Sequence, residues 1–556
     1  MLFGKHINEY YIKYGIFLII GIVALLLVDY FQLKIPDIVG DIVDGLQYKT
    51  LTKDRLKEYV LFLGLVAIIM FFGRFIWRIC LFGTGIRVEC NLRNKVFKNM
   101  QFLSQRFFQE NKTGNLMSIY TNDLTLIRQS FGTGTMMLVD AVCLGAMALY
   151  KMFSLNILLS IFSLVSLILV TLCSSLIGKK ITKATEDNFK AYGALSDFVQ
   201  EDFSGISVIK AFVLEKLQVK LFSKYNTENM NSTLVMTKLS VKLNIIITVI
   251  LSFVNIGIIV YGGYLIYLHK NGLSTNLFSV GDLIKFSAYF GTLIWPIEAV
   301  GRLIDMHSQG KASLNRVSKI IDAEKEINDS LVTEECKDIS TLEGDIEYCN
   351  LSFSYPNDSK NVLYDVNLKI NKGEFVGIIG ETGSGKTTIV DLLLRIYNID
   401  QGMLYIDGHD IMNLPLKTVR NNIAYVPQDN FLYGDKITNN IAFSEINEID
   451  TKKVYECANI SGVKNDIDNF KDGFDTVLGE RGITISGGQK QRVSIARALY
   501  KNANILILDD SLSAVDTETE KTIITNLRNI RRGKTTIIIA HRITTLQNLD
   551  KIVVLV

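Results

Sequence analysis

Gly380-Glu381-Thr382-Gly383-Ser384-Gly385-Lys386-Thr387 is the stretch that decides the architecture of the C-terminal half. It has the form G-x-x-x-x-G-K-[ST]. A β-branched apolar run, Phe375-Val376-Gly377-Ile378-Ile379, precedes it, and a helical pattern, Thr388–Tyr397, follows. Strand, glycine-rich loop and helix in that order form a phosphate cradle. The glycines let backbone N–H groups approach the phosphates, and the helix N-terminus adds positive potential. Lys386 is the residue that reaches the β- and γ-phosphates, and the Thr387 hydroxyl is placed to ligate Mg²⁺.

Two further stretches extend this reading downstream. Ile505-Leu506-Ile507-Leu508 is an apolar run that ends in Asp509-Asp510. That pattern fits a buried parallel strand delivering a carboxylate to Mg²⁺ at its C-terminal edge. Ile485-Ser486-Gly487-Gly488-Gln489-Lys490-Gln491-Arg492 precedes a helical pattern, Val493–Tyr500, and reads as a second anion-binding helix N-terminus. One triphosphate needs one cradle, so the second one suggests a nucleotide held by another subunit. The plainer alternative is a surface turn before a helix.

Upstream the composition changes. The chain has 556 residues, 48% hydrophobic and 21% charged, with the apolar excess concentrated in its first three fifths. A length of this order implies two or more domains. A net charge of +3, with no Lys/Arg tract interleaved with aromatics, argues against a nucleic-acid partner. The seven cysteines form no C-x-x-C pair, so neither a disulfide frame nor a zinc site is expected. The first apolar run is too long for a signal-peptide core and is read as a retained membrane helix.

A membrane helix needs about 20 apolar residues. Six stretches qualify, near Tyr14–Leu33, Glu58–Phe82, Met136–Phe153, Asn156–Ile177, Leu243–Leu268 and Leu283–Val300. The long polar segments Gly83–Thr135 and Gly178–Lys242 are helical in pattern and rich in lysine and arginine, which places them on the cytoplasmic side. Each should be a pair of helical extensions joined by a turn at the tip, near Asn111–Asn115 and near Ser204–Lys210. Asp29, Arg74, Arg78, Asp140 and Glu298 fall inside the apolar runs. Each either lines a pathway or pairs with a neighbour. Residues 324–342, rich in Glu, Asp, Ser and Thr, read as a linker.

The P-loop Gly380–Thr387, the signature Ile485–Arg492 and the acidic strand Ile505–Asp510, in the family's order and spacing, resemble the ABC transporter superfamily, and in particular bacterial exporters with a fused membrane and nucleotide-binding domain. The resemblance covers nearly the whole chain. It implies an all-α six-helix transmembrane domain of the type IV exporter kind (1–318), a linker (319–343) and an α/β P-loop ABC nucleotide-binding domain (344–556). It also assigns roles. Tyr355 resembles the aromatic that stacks on adenine. Gly380, Glu381, Thr382, Gly383, Ser384, Gly385, Lys386, Thr387 and Thr388 would hold ATP, and Ser486, Gly487, Gly488 and Gln489 would hold the partner's ATP. Thr387, Gln428 and Asp509 would hold Mg²⁺, while Asp510, Gln428 and His541 would act in catalysis. Gly479-Glu480-Arg481-Gly482 is similar to an exporter-specific loop, and Ser513-Ala514-Val515-Asp516 to the loop that crosses the dimer interface.

The implied mechanism closes two nucleotide domains head to tail on ATP, opens the membrane cavity outward and resets on hydrolysis. The localisation implied is the bacterial plasma membrane, with the long loops and the nucleotide-binding domain cytoplasmic. The partners implied are a second half-transporter, the lipid bilayer and a small amphipathic substrate. Two departures stand out. Asp510 occupies the position where the family carries a catalytic glutamate, and it is one methylene shorter. A weak base beside a signature intact but for Ile485 resembles one member of a heterodimeric multidrug exporter pair; a slow homodimer is the alternative. The chain also ends at Val556, inside a strand pattern where the family's chains continue, which suggests a truncated end. Lipid or peptide cargo, and a nucleotide-gated or regulatory role without pumping, remain as alternatives of function.

Overall fold

The computed structural model describes residues 4–271, 278–356, 360–479, 482, 484–547 and 549–556. Two compact units emerge, one of residues 1–97 and 117–321, the other of residues 98–116 and 322–556.

The first unit is helical. A short helix α1 (Asn8–Lys13) leads into α2 (Gly15–Gln47) and α3 (Lys53–Met100). After α4 (Gln105–Glu110) and α5 (Thr113–Ser118), a π-helical turn at Ile119–Asp123 joins α6 (Leu124–Phe131) and α7 (Thr133–Leu155). Then come α8 (Ile157–Ser204), the short α9 (Ile206–Ala211), α10 (Glu215–Lys270) and α11 (Val280–Ile321). At 1.5 Å per residue the 48 residues of α3 span about 72 Å, more than twice the hydrocarbon core of a bilayer. α8 and α10 are as long or longer, so each continues as a polar extension. The extensions break at Asn111-Lys112 and at Gly205, and the short helices α4 and α9 lie beside those breaks. Five of the described helical spans are long and apolar enough to cross a membrane. The sixth expected run lies in α11, where Asp282, Lys285, Glu298 and Arg302 dilute its apolar character.

Polar side chains tie the helices to one another. Asp37, Asp41 and Asp44 lie three to four residues apart on α2, hence on one face. Asp44 accepts from the Gly281 N–H at 2.7 Å and the Ser279 hydroxyl at 2.6 Å, which fixes the start of α11. Lys285 donates to Asp41 at 2.7 Å, and Lys151 of α7 donates to Asp37 at 2.8 Å. Asp140 accepts from the Trp295 indole, Glu298 lies 3.7 Å from Arg302, and Arg78 lies over the Trp77 ring. Arg78, Asp140 and Glu298 thus each have a partner, and Asp29 hydrogen-bonds to Asp140. Asp29 is buried.

The second unit holds two sheets. β1 (Ile346–Phe353), β2 (Leu363–Ile370), β4 (Leu404–Ile406) and β5 (His409–Asp410) form an antiparallel sheet in the order β2-β1-β4-β5. β3 (Phe375–Gly380), β6 (Ile423–Val426), β7 (Ile505–Asp509), β8 (Thr535–Ile539) and β9 (Lys551–Leu555) form a parallel sheet in the order β6-β7-β8-β3-β9. Every residue of β7 and β8 is buried, as befits strands covered on both faces. Side chains alternate between two cores. Ile505, Ile507, Ile537 and Ile539 pack with Ile389 and Leu393 of α12 (Lys386–Leu393). Leu506, Leu508 and Ile538 pack with Val493 and Ile495 of the helix Gly487–Lys501. The two glycine-rich loops therefore start helices on opposite faces of one sheet. The tip segment 98–116 packs into this unit: Tyr397 donates to Gln109 at 3.2 Å, and Glu326 accepts from Ser104 at 2.7 Å and from Arg106 at 3.2 Å.

Candidate active site

β3 ends at Gly380, and the chain turns through the glycine-rich loop into α12. Gly385 sits at φ +87°, a left-handed conformation that costs a side-chain-bearing residue energy. The helix begins at Lys386, two residues before the start its pattern suggested, because this turn already carries the chain into helical geometry. No side chain caps that N-terminus, so its N–H groups remain available to an anion. Lys386 curls back and donates to the carbonyls of Gly380 at 2.9 Å and Glu381 at 2.6 Å. The Ser384 hydroxyl is buried without a partner.

A cavity of about 300 Å³ opens over this loop. Thr382, Gly383, Gly385, Lys386, Thr387 and Thr388 form its floor, Tyr355 and Val362 one side, and Gln428, Asp509, Asp510 and His541 the other. Gly380 and Glu381 line a neighbouring cavity that shares His541. The Tyr355 hydroxyl lies 2.9 Å from Thr388 Oγ1, and Tyr397 packs edge-on against the Tyr355 ring at 5.2 Å. That arrangement holds an aromatic face upright beside the phosphate loop, as a stacked base requires.

Asp509 is buried at the end of β7, and Thr387 hydrogen-bonds to it. Burial pushes its carboxyl up, and the hydroxyls of Thr387 and Tyr425 draw it back. The Asp510 charge raises it further and Lys386 lowers it. A serine or threonine hydroxyl beside a carboxylate at the mouth of a phosphate cradle matches the hard oxygen donors that Mg²⁺ prefers. Asp510, the next residue, adopts φ +44°, and its N–H donates to Ile539 O at 3.0 Å.

The second glycine-rich segment is built differently. Ser486 caps the helix Gly487–Lys501 by accepting from Gln489 N, while Gln489 Oε1 accepts from Ser486 N at 3.0 Å. The helix therefore starts six residues before the expected Val493, since a capping box fixes the start at its serine. A side chain on Gly488 would sit 2.8 Å from the Ala514 carbonyl oxygen, so only glycine fits. Ser486, Gly487, Gly488 and Gln489 are not among the residues lining the P-loop cavity. Of the loop Gly479–Gly482, Glu480 and Arg481 lie outside the described residues.

Several residues of this site carry no motif signal. Tyr425 on β6 places its hydroxyl 3.4 Å from Asp509 Oδ2. Asp391, one turn beyond Thr387 on α12, has its carboxyl pushed up to about 6 by burial, with the Asp509 charge adding to it. Tyr397 and Arg542 also belong here. Tyr425 stands three residues before Gln428, a spacing that alone suggests nothing; only the pairing of β6 with β7 brings it to Asp509.

Two families match: residues 16–297 the ABC transporter transmembrane region, and residues 363–513 the ABC transporter family itself. The chain belongs to the ABC transporter family. It is 33% identical over 99% of its length to a probable multidrug resistance ABC transporter ATP-binding/permease protein, YheI of Bacillus subtilis, covering 92% of that protein. It is 31% identical over 96% of its length to the multidrug resistance-like ATP-binding protein MdlA of Escherichia coli, covering 89% of it. An ATP-dependent lipid A-core flippase of Syntrophus aciditrophicus is 35% identical over 85% of this chain and 76% of that protein. In fold, the chain superposes on a bacterial Atm1-family ABC exporter with ATP bound, with a TM-score of 0.75 over 99% of this chain and 94% of the other, at 24% identity.

This ABC transporter therefore combines a type IV exporter membrane domain with an α/β nucleotide-binding domain. It is an ATPase coupled to transport, homologous to bacterial multidrug exporters. It is a multi-pass protein of the bacterial plasma membrane with a cytoplasmic nucleotide-binding domain.

Proposed function

We propose that this chain is one half of an exporter dimer that expels amphipathic small molecules, and that it is the half whose own ATP site carries a weak base. One observation carries the reading. Asp510 shares the P-loop cavity with Thr387, Gln428 and His541, and as the attacking water's base it would reach one methylene less far than glutamate. A displacement of about 1 Å can cost on the order of a hundredfold in rate. Thr387, Asp509 and Gln428 would hold Mg²⁺, which when bound neutralises charge on the β- and γ-phosphates. Lys386 would exchange its two loop carbonyls for phosphate oxygens, Tyr355 would orient the base, and His541 would face the γ-phosphate.

The self-capped signature outside the chain's own P-loop cavity supports a partner subunit. A partner with a competent glutamate makes the dimer a heterodimer. The multidrug names of the relatives favour drug-like cargo, and the flippase relative gives lipid cargo as the second reading.

The deciding experiment is the ATPase rate of this chain alone in lipid nanodiscs, wild type beside Asp510→Glu. The expected result is a nearly inert wild type and a variant faster by about a hundredfold. Wild-type turnover of about one per second would instead favour a self-sufficient homodimer. Stimulation of the Asp510→Glu variant by amphipathic drugs but not by lipid A separates the two cargo readings.

A further inference from the structure

The loop Ser511–Asp516 is held from two sides by side chains to which the motif reading gave no role. From the signature helix, the buried Gln491 accepts from the Ala514 N–H at 2.9 Å. Its amide donates to the Ser513 hydroxyl at 3.1 Å and to the Asp510 carbonyl at 3.4 Å. From the other side comes Arg542, the residue after His541. Its guanidinium donates to Ser513 O at 2.9 Å and to Val515 O at 3.1 Å. The same group pairs with Glu520 at 3.1 Å, a buried carboxylate that also accepts from the Thr545 hydroxyl.

One end of this assembly is the P-loop cavity, which His541 and Asp510 both line. The other end is the signature, where Gly488 presses against the Ala514 carbonyl. The loop has room to move. A cavity of about 110 Å³ lies behind it, lined by Asp510, Ser511, Ser513, Glu520, His541 and Arg542. The Ser511 hydroxyl is buried without a partner. Close-packed interiors resist graded deformation, so a loop backed by a void and gripped at both edges shifts as a piece.

We propose that Gln491 and Arg542 are positioning residues that lock loop 511–516 to both His541 and the signature helix, so that nucleotide in this chain's own pocket resets the signature surface it presents to a partner. The inference rests on the ATP-site reading above, but it needs neither a heterodimer nor a particular cargo. Arginine is required because its planar fork reaches two carbonyls and a carboxylate together. Lysine at 542 keeps the charge opposite Glu520 but cannot bridge all three.

Hydrogen exchange of the full chain in nanodiscs, with and without Mg-ATP, tests this in wild type, Arg542→Lys and Gln491→Asn. In wild type, ATP should slow amide exchange at 380–388 and at both 486–491 and 511–516, each by about fivefold or more. In either variant the P-loop slowing should persist, while that at 486–491 falls below about twofold. The double variant should be no worse than the poorer single one, because both side chains hold one loop. Slowing at 486–491 that survives in both folded variants overturns the latch, as does its absence in wild type. Absence of P-loop slowing in wild type overturns the ATP-site reading and the latch with it. Thermal unfolding within about 2 °C of wild type marks a folded variant, and either variant suffices for the test.

Discussion

The two glycine-rich helix starts of the nucleotide unit use similar residues and end in opposite states. At the P-loop, α12 begins on a left-handed Gly385 with no side-chain cap, and its one cation rests on its own loop's carbonyls. At the signature, Ser486 and Gln489 close a capping box, and Gly488 is pinned against another loop. At the first helix end no side chain takes the backbone N–H groups, while at the second Ser486 already takes the Gln489 N–H. Free backbone donors predispose a helix end to hold an anion. A capped end must give up an existing hydrogen bond first. On the reading proposed above, the P-loop would bind without a partner, and the signature would first have to release its cap.

The largest test of that contrast is Lys386→Ala. Removing the only loop cation should weaken ATP binding to this chain alone by about a hundredfold, read by fluorescent nucleotide titration. Ser486→Ala in the same assay should leave binding within about twofold. Equal losses in the two variants would falsify the division between a self-contained cradle and one that waits for a partner.

Gly488→Ala sharpens the comparison at the level of packing. The new methyl would meet the Ala514 carbonyl at 2.8 Å, so helix or loop must yield. A loss of about 1–3 kcal/mol is expected from such overpacking, measured by thermal unfolding. The smallest effect belongs to the cap itself. Ser486→Ala should cost about 1 kcal/mol of stability, and Ser486→Thr should restore most of it. No stability change on Ser486→Ala would show that the capping box contributes nothing to holding the signature closed.

Much of the fold was legible because the relevant signals are local. Long apolar runs, the basic segments between them and the alternation of strands with helices each read within a window of about 20 residues. The P-loop helix start was misplaced by two residues and the signature helix start by six. Propensity does not register a left-handed glycine or a reciprocal cap from composition alone. The partners of Asp37, Asp41 and Asp44 were out of reach for another reason. Their contacts on α11 and at the residue just before it lie more than 200 residues away in sequence, at Tyr289, Lys285 and Ser279.

By itself, the sequence determined that this chain carries a glycine-rich P-loop, an apolar strand ending in two aspartates and a second glycine-rich helix start in an α/β domain, behind a run of membrane helices. Each of these is a short motif whose chemistry depends on neighbours along the chain. The tertiary structure decided what those motifs touch. It set Tyr425 and Thr387 on Asp509, Tyr397 behind Tyr355, and Gln491 and Arg542 on either side of one loop. Parallel strands pair residues separated by whole helices, so side-chain contacts across the sheet follow from strand order and register. No window of sequence contains that order.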